Sequence, residues 1–343
     1  MKIIVDAMGG DNAPQAPVMG AIRAVRELDV QINLVGRGAE ILKTLHDNGI
    51  RDLPEGITIS DAEEVVDMHD DPANVVRKKK NSSMMVGLKM LADEEGDAFL
   101  SAGSTGALLS GATLIVKRAK GIRRAAMGPL MPNKAGGKTM LLDCGANAEC
   151  TPEFLLQFGL IGSLYMKKNQ NLANPRVGLL NIGTEDTKGT PLQKEAYVLL
   201  QDAADQGLIN FIGNVEAREV LMGGVDVVVC DGFSGNVLLK STEGTAMFMG
   251  SLMKHKIFRR NLLSKIGYLL CRKGVKEVVK MMDYREVGGT QFLGIRKTVL
   301  KIHGASDELA VYGGIKQAAS LAKCDITPEL EQYLAQIKER ADA

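Results

Sequence analysis

The chain has 343 residues and a net charge of +1; 45% of its residues are hydrophobic and 24% are charged, as in an ordinary soluble protein with a large core. No apolar run reaches the ~18 residues of a membrane-spanning helix, and five cysteines without Cys-x-x-Cys spacing argue against a disulfide framework or a structural zinc site. The first residues, Lys2–Val5, are already strand-like, so we expect a cytoplasmic protein with reduced thiols.

Apolar runs alternate with helical patterns through most of the chain. This alternation predicts βαβ units in an α/β/α sandwich with a mostly parallel sheet. No repeat, low-complexity tract or linker divides the sequence, so we expect one catalytic α/β domain over 1–343. After Ser306 we expect two helices, the second with Thr327 as N-cap and Pro328 in its first turn. The strands are predicted at 2–6, 31–35, 57–60, 97–102, 139–143, 176–181, 209–212 and 226–231.

Segments of small residues follow several predicted strands and open helices. The segment at 101–107 reads Ser-Ala-Gly-Ser-Thr-Gly-Ala. The first N–H groups of a helix lack intrahelical partners and carry the positive end of its dipole, which favours an anion. Ligands of open α/β sheets bind at the carboxyl ends of the strands, so we expect the site there. Similar segments lie at 6–11, 143–147, 181–186 and 231–236.

Three familiar motifs are incomplete. Gly36-Arg37-Gly38 follows a strand, but Ile41 replaces the third glycine of a dinucleotide fingerprint. The Gly-Lys-Thr at 137–139 lacks the earlier glycine of a P-loop and precedes a strand. There is no Gly-x-Ser-x-Gly elbow, and the four histidines lack metal-ligand spacing. These patterns disfavour NAD binding, a serine hydrolase and a zinc enzyme.

Four consecutive cations, Arg-Lys-Lys-Lys at 77–80, precede a predicted helix whose N-cap is Asn81 or Ser82. A helix N-terminus flanked by cations favours an anion, and a solvated basic loop is the alternative.

Polar residues also gather after two later strands. The loop from Asn181 to Gly189 carries hydroxyl, carboxylate and ammonium groups, and a capped turn is the alternative. Residues 231–236 have a similar position, with Lys240 about one turn into the next helix. We expect both segments to line one cleft. Cys230 is expected to be a core thiol, because a reactive thiolate needs exposure and nearby cations.

The segment 251–280 contains nine Lys/Arg and one acid, Glu277, whereas the rest of the chain has more acids than bases. Apolar residues recur on one helical face. This pattern predicts a basic amphipathic helical arm at about 251–282 that lies on an anionic membrane. A helix packed on the core or on a dimer partner is the alternative, and nucleic acid is not expected because no aromatic stacking platform accompanies the charge. The flanking cations are Lys254, Lys256, Arg259, Arg260 and Lys265.

Eight segments, in this order, resemble the bacterial phosphate acyltransferase (PlsX) family. Each is weak alone, but together they are specific and span essentially the full chain. They are Asp-Ala-Met-Gly-Gly-Asp at 6–11, Lys-Asn-Ser-Ser-Met at 80–84, the 101–107 segment, Leu-Leu-Asp-Cys-Gly-Ala-Asn at 141–147, Asn-Ile-Gly-Thr-Glu-Asp-Thr-Lys-Gly at 181–189, Ile-Gly-Asn-Val-Glu-Ala-Arg at 212–218, Asp-Gly-Phe-Ser-Gly-Asn-Val at 231–237 and His-Gly-Ala-Ser-Asp at 303–307.

The resemblance implies transfer of a fatty acyl group from acyl carrier protein to inorganic phosphate, giving acyl phosphate for phospholipid synthesis. It also implies a homodimer with the fold of isopropylmalate dehydrogenase and phosphotransacetylase, at the inner face of the cell membrane, with a membrane glycerol-3-phosphate acyltransferase receiving the product. Two positions depart from the family, which often has His at Asn12 and Asn at Ser104. Position 12 therefore supplies no histidine base.

The implied reaction requires positioning more than strong acid–base catalysis. Phosphate dianion is populated near neutral pH because its second pKa is about 6 to 7, and a thiol with a pKa near ~8.5 is a good leaving group. Stabilisation of the tetrahedral oxyanion remains, and no metal or organic cofactor is expected. We expect the 101–107 turn and Lys188 to hold phosphate while Asn236 polarises the thioester carbonyl.

The expected site residues fall into four groups. Catalytic roles are expected for Lys188, Asn236, Ser104 and Thr105. Substrate or phosphate binding is expected for Asp6, Gly9, Gly10, Lys80, Ser82, Gly103, Gly106, Asp143, Asn147, Thr184, Glu185, Asp231 and Ser234. Acyl carrier protein is expected at Arg77, Lys78 and Lys79, and the membrane at Phe258, Leu262, Leu263, Ile266 and Leu269.

Two other functions remain open on the same sequence. A metal-dependent dehydrogenase would need a nucleotide site and clustered carboxylates. A non-catalytic membrane scaffold would explain the basic arm but not five polar strand-end loops.

Overall fold

A computed structural model describes residues 1–258, 261–281 and 289–341, which contain twelve strands and eleven α-helices. The strands are β1 (Lys2–Asp6), β2 (Gln31–Gly36), β3 (Ile57–Asp61), β4 (Ala98–Ser101), β5 (Ala126–Met127), β6 (Leu130–Pro132), β7 (Lys138–Leu142), β8 (Arg176–Asn181), β9 (Asn210–Glu216), β10 (Val227–Val229), β11 (Thr290–Leu293) and β12 (Thr298–Lys301). The helices are α1 (Gln15–Glu27), α2 (Gly38–Asp47), α3 (Val75–Lys78), α4 (Ser83–Ala92), α5 (Thr105–Gly111), α6 (Pro152–Asn169), α7 (Pro191–Asp205), α8 (Gly232–Leu252), α9 (Leu262–Met281), α10 (Glu308–Lys323) and α11 (Thr327–Ala341).

The larger sheet has seven strands in the order β3-β2-β1-β4-β12-β11-β5. Its first five strands are parallel, and β11 is antiparallel to both β12 and β5. Val5 is level with Leu100, and Ser101 is level with Lys301. The carboxyl ends of β1, β4 and β12 therefore meet at one edge, and Asp6, Ser101 and Lys301 lie there.

The smaller sheet has five strands in the order β6-β7-β10-β8-β9. All but β6 are parallel, and Val229 is level with both Leu142 and Leu179. The loops that begin after β7, β10 and β8 consequently leave the same edge of this sheet.

The predicted fold class, mostly parallel strands with helices on both faces, is confirmed, although the strands form two sheets. The largest hydrophobic core cluster contains residues of both sheets, such as Ile3 and Leu100 of one and Leu142 and Val229 of the other. The strands β5, β6, β11 and β12 were not predicted. They have two to four residues, and a segment of that length shows no clear period. A single catalytic domain over 1–343 remains a prediction.

The described part of the basic arm is helical. Helix α8 continues as a π-helical segment, Met253–Phe258, and α9 follows. The Phe258 ring packs on Tyr268 with centroids 5.0 Å apart, so Phe258 is half-buried. Residues 259, 260 and 282 of the predicted arm lie outside the described part of the chain. None of the described helices is long and apolar enough to cross a bilayer.

Candidate active site

The buried carboxylate of Asp6, at the end of β1, ties three strand-end segments together. Its Oδ1 accepts hydrogen bonds from the Ser83 hydroxyl (2.6 Å) and the Met8 N–H (3.2 Å), and its Oδ2 accepts one from the Ser101 hydroxyl (2.6 Å). The Ser101 oxygen in turn accepts the Gly103 N–H at 3.0 Å. Burial raises the pKa of Asp6, and these donors oppose that rise.

Small residues let these segments approach closely. A Cβ on Gly9 would lie 2.5 Å from Asp6 Oδ2 and 2.8 Å from the Gly103 nitrogen. Gly10 has a φ of +96°, which favours glycine, and a Cβ there would lie 2.8 Å from the Gly304 carbonyl oxygen. The Asp6 carboxylate therefore supports the 101–107 turn, and the phosphate-binding role expected for it stays a prediction.

The predicted strand-turn-helix at 101–107 is present. Ser104 is the buried N-cap residue of α5, and its side chain makes no capping hydrogen bond. Thr105 is half-buried in the first turn of α5, which continues as a π-helical segment to Val116. Gly106 packs against Pro72, since a Cβ there would lie 2.8 Å from the proline Cγ. Ser104, Thr105 and the N–H groups around Gly103 remain candidate phosphate ligands.

Replacing Asp6 by alanine is expected to lower the free energy of unfolding by about 3 kcal/mol, because two buried hydroxyls lose their acceptor. Urea unfolding measures this change. Asp52→Ala, at an exposed loop position, is the matched control and is expected to stay within about 0.5 kcal/mol of the unmodified chain. An equally small change in Asp6→Ala would mean that the carboxylate does not support the turn.

The basic segment 77–80 divides into cations with different surroundings. Lys79 donates to the Val65 carbonyl (2.8 Å) and pairs with Asp70 (2.6 Å) and Asp67 (3.2 Å). These carboxylates raise the pKa of Lys79 and compensate its charge locally. Its expected role in carrier binding stays a prediction. The other three cations, Arg77, Lys78 and Lys80, are exposed.

Ser82, rather than Asn81, is the N-cap of α4. Its buried hydroxyl accepts from the Met85 N–H (3.4 Å) and donates to the Lys79 carbonyl (2.7 Å). Both capacities of the hydroxyl are used inside the protein. The structure therefore assigns Ser82 to helix capping, and its expected role in substrate binding stays a prediction.

Asp143, which follows β7, organises the 143–147 loop. Its Oδ1 accepts from the N–H groups of Met127, Cys144 and Ala146, at 2.9, 2.6 and 3.2 Å. Its Oδ2 accepts from the Asn147 N–H (2.7 Å) and side-chain amide (3.0 Å). Burial raises the pKa of Asp143, and the five donors oppose that rise. This carboxylate supports the loop, and the substrate-binding role expected for it stays a prediction.

The same loop packs on the start of α8. The Gly232 N–H donates to the Asn147 carbonyl at 2.7 Å, and Asn147 also donates to Ala125 at 2.8 Å. A Cβ on Gly235 would collide with the Asp143 carbonyl oxygen. Asn147 therefore has a structural role as well, and it joins the smaller sheet to the residues before β5.

Asp231 is the N-cap of α8 and leaves Asn236 accessible. The Asp231 carboxylate accepts the Ser234 N–H and hydroxyl, both at 2.8 Å, so these two residues stabilise the helix start. Asn236 lies one turn later, is exposed, and is next to Gly145, where a Cβ would be 3.7 Å from the amide carbon. Of the three, Asn236 is the most exposed, whereas Asp231 and Ser234 are half-buried.

The loop after β8 presents Lys188 to solvent. Its ammonium lies 3.9 Å from Glu185 Oε1, a weak contact between half-exposed and exposed side chains. The backbone below is fixed, because Asn181 accepts the Ile182 N–H (2.8 Å) and the Asn214 amide donates to the Glu185 carbonyl (2.7 Å). Thr184, Glu185 and Asp186 are exposed. A rigid loop thus carries an accessible cation.

Two buried thiols, Cys144 and Cys230, lie beside this edge. Cys230 donates to the Asp143 carbonyl at 3.3 Å, and burial raises the pKa of Cys230 well above its usual range. Burial likewise raises the pKa of Cys144. A thiol that stays protonated is a poor nucleophile, which agrees with the core position expected for Cys230.

Lys301 is a further candidate site residue, and it was not among those expected from the sequence. It is the last residue of β12, only 9% exposed, and donates to the carbonyl of Ala102 at 3.2 Å. The nearby His-Gly-Ala-Ser-Asp segment at 303–307, one of the eight segments that resemble the family, was the sequence pattern that could have pointed to this region. Its carbonyls bind the neighbouring loop, since Asn12 donates to Ala305 (3.3 Å) and Ser306 (3.1 Å).

The candidate residues form three sets: one around Asp6 and the 101–107 turn, one around Asp143 and Asn236, and one in the 181–189 loop. Among the described residues, no hydrogen bond joins one set directly to another. The last two sets leave neighbouring strands of the smaller sheet, and the Met127 contact with Asp143 connects that sheet to β5. Within the described ranges, no group of three or more His, Cys, Asp or Glu has a metal-site arrangement.

Solved structures share this architecture at low sequence identity. A phosphotransacetylase from Streptococcus pyogenes superposes with a TM-score of 0.63 at 18% identity, covering 94% of each chain. A branched-chain phosphotransacylase from Enterococcus faecalis V583 gives 0.54 at 15% identity, covering 93% of this chain and 99% of that one. These similarities establish the fold.

Sequence comparison gives closer relatives. A family model described as "Fatty acid synthesis protein" matches residues 1–328. A phosphate acyltransferase from Thermoanaerobacterium thermosaccharolyticum is 43% identical and covers 97% of each chain. Another from Alkaliphilus oremlandii is 46% identical and covers 93% of this chain and 92% of that protein. The chain therefore belongs to the phosphate acyltransferase family and is an acyltransferase.

Proposed function

We propose that this acyltransferase moves a fatty acyl group from acyl carrier protein to inorganic phosphate, giving acyl phosphate for phospholipid synthesis. The observation that carries the proposal is the 101–107 turn, which places the first N–H groups of α5 and the hydroxyls of Ser104 and Thr105 at the end of β4. Asp6 and Ser101 fix this turn before any ligand binds. Preorganised donors of this kind stabilise an anion without a reorganisation cost.

In this proposal both substrates bind at the carboxyl edges of the two sheets. The 101–107 turn and the Lys188 ammonium bind the phosphate, and an oxygen of the dianion attacks the thioester carbonyl. Asn236 and a backbone N–H stabilise the tetrahedral oxyanion, which then collapses and expels the thiolate. Exposure of Asn236 and Lys188 at neighbouring strand ends supports these roles.

The decisive experiment mixes the full chain with palmitoyl carrier protein, varies inorganic phosphate, and follows both products. We expect free thiol to appear only with phosphate, together with an acyl phosphate that hydroxylamine converts to palmitoyl hydroxamate. Thiol release that does not depend on phosphate, or no release, would reject the proposal. Reduction of a nicotinamide cofactor would instead indicate a dehydrogenase. Membrane binding without turnover would indicate a scaffold.

We further propose that the exposed cations Arg77 and Lys78 bind the carrier protein, whose family is acidic. Surface charge pairs of this kind speed encounter more than they tighten a complex. Arg77→Glu with Lys78→Glu is expected to raise the KM for the carrier protein roughly tenfold at low ionic strength, with a smaller effect at high salt.

The matched control for this charge reversal is Lys338→Glu, which changes an exposed lysine on α11. It is expected to leave the KM for the carrier protein unchanged. Lys79 is not a suitable position, because its change would break the pairs with Asp67 and Asp70. An unchanged KM in the double variant would assign the cluster to a solvated loop.

We also propose that the arm binds the cytoplasmic face of the cell membrane, where a membrane glycerol-3-phosphate acyltransferase takes up the product. Leu262, Leu263, Ile266 and Leu269 are 74%, 79%, 49% and 65% exposed on α9. In the described part of the chain the main packing partner of α9 is the 253–258 segment. A homodimer, which the family resemblance implies, is part of the same proposal and is tested by light scattering.

A further inference from the structure

Lys301 places a buried ammonium between two strand ends. It donates to the carbonyl of Ala102, which follows β4, at 3.2 Å, and to the carbonyl of Ile302, which follows β12. Because Lys301 is level with Ser101 in the sheet, both contacts lie at the edge that carries the 101–107 turn. Two of its three N–H donors are thus used within the protein.

A charge in this position is costly to bury. The two carbonyls offer dipoles, and the carboxylates of Asp6 and Asp11 are the charged groups that act on the ammonium. Burial nevertheless prevails and lowers the pKa of Lys301 to about 8, so near neutral pH the group keeps its charge. An apolar side chain of similar length would fill the same space without this cost, which points to a role for the charge itself.

The contact with Ala102 has a geometric consequence for the turn. The Ala102 carbonyl and the Gly103 N–H belong to one planar peptide group and point in opposite directions. Lys301 holds the carbonyl end, and Ser101 Oγ accepts from the N–H end at 3.0 Å. With both ends held, that peptide cannot rotate, and the direction of the following N–H donors is set.

We propose that Lys301 is a positioning residue of the phosphate site, which fixes the Ala102–Gly103 peptide and places a positive charge behind the 101–107 turn. This inference rests on the proposed function. The adjoining loop is tied to the same point, because the Gly304 carbonyl accepts the Asp11 N–H at 2.8 Å. Lys301 and this backbone contact together connect the loops that follow β1, β4 and β12.

The test replaces Lys301 by methionine, which keeps the length and removes the charge. The KM for phosphate is expected to rise about tenfold or more, whereas the KM for the acyl donor stays within about twofold. In a second readout without turnover, inorganic phosphate is expected to raise the melting temperature of the unmodified chain but not that of the variant. Lys301→Arg keeps the charge and is expected to restore much of the phosphate affinity.

The matched control is Lys297→Met, which removes a half-exposed cation just before the other end of β12 and leaves the phosphate KM unchanged. If the methionine variant does not fold, Lys301→Gln is used as a second neutral variant. Its phosphate KM and its melting shift with phosphate then test the inference. The inference is overturned if a folded neutral variant keeps the phosphate KM and the melting shift of the unmodified chain. It is also overturned if the KM for phosphate and the KM for the acyl donor rise equally. If the unmodified chain transfers no acyl group, the proposed function fails, while the phosphate melting shift still tests Lys301.

Discussion

Lys188→Ala is expected to lower kcat about 100-fold and to raise the phosphate concentration needed for half-maximal rate, because one preorganised charge contact to the reacting anion is lost. The structure gives this lysine no role in the core. Its side chain is half-exposed and its nearest carboxylate oxygen lies 3.9 Å away. Steady-state rates at several phosphate concentrations measure both effects.

The matched control for Lys188 is Lys194→Ala, an exposed lysine in the first turns of the next helix, α7. It removes the same charge nearby and is expected to keep normal turnover. Unfolding midpoints of both variants are expected to match that of the unmodified chain. Near-normal turnover of Lys188→Ala at low phosphate would remove this residue from the site.

Leu262→Glu combined with Ile266→Glu is expected to abolish flotation with anionic liposomes while sparing turnover on soluble substrates. The two positions are one helical turn apart on α9 and largely exposed. On a membrane their side chains would enter the boundary between headgroups and acyl chains, and each nearby Lys or Arg would contribute roughly 1 kcal/mol. Two new carboxylates remove the burial of these apolar side chains and weaken the attraction of the nearby Lys and Arg residues to anionic lipid.

The control for this double variant is Leu42→Glu with Val198→Glu, which changes exposed apolar residues on α2 and α7. It adds the same charge and is expected to float normally. Light scattering and thermal unfolding accompany both measurements. Loss of the dimer or of the fold in Leu262→Glu with Ile266→Glu would show that this face is covered by protein, against a second copy or the core.

Local signals in the sequence were sufficient for the elements that frame the site. The small residues at 101–107 predict a strand, a turn and a helix, and the structure has all three. The sequence could not decide between Asn81 and Ser82 as the N-cap of α4, because both residue types cap helices well. The structure shows that it is Ser82. The two-residue β5 leaves no pattern to detect in the sequence.

Contacts between distant parts of the chain could not be predicted. Lys79 looks like its neighbours in sequence, and only the fold shows that Asp67 and Asp70 pair with it. Asp6 and Asp143 were expected to face substrate because they follow strands, but each also accepts hydrogen bonds from distant residues: Asp6 from Ser83 and Ser101, and Asp143 from Met127. Lys301 lies some 200 residues after the turn that it contacts.

The position of β12 also affects how the protein is made. In the larger sheet β4 lies between β1 and β12. The ribosome synthesises β12 about 200 residues after β4. At a translation rate of roughly 5–20 residues per second, the backbone groups on one side of β4 stay unpaired for about 10–40 seconds. An open, apolar strand edge recruits other strands. Nascent chains that stall before residue 298 are therefore expected to associate with one another or to require a chaperone, whereas the completed chain covers this edge with its own last strand.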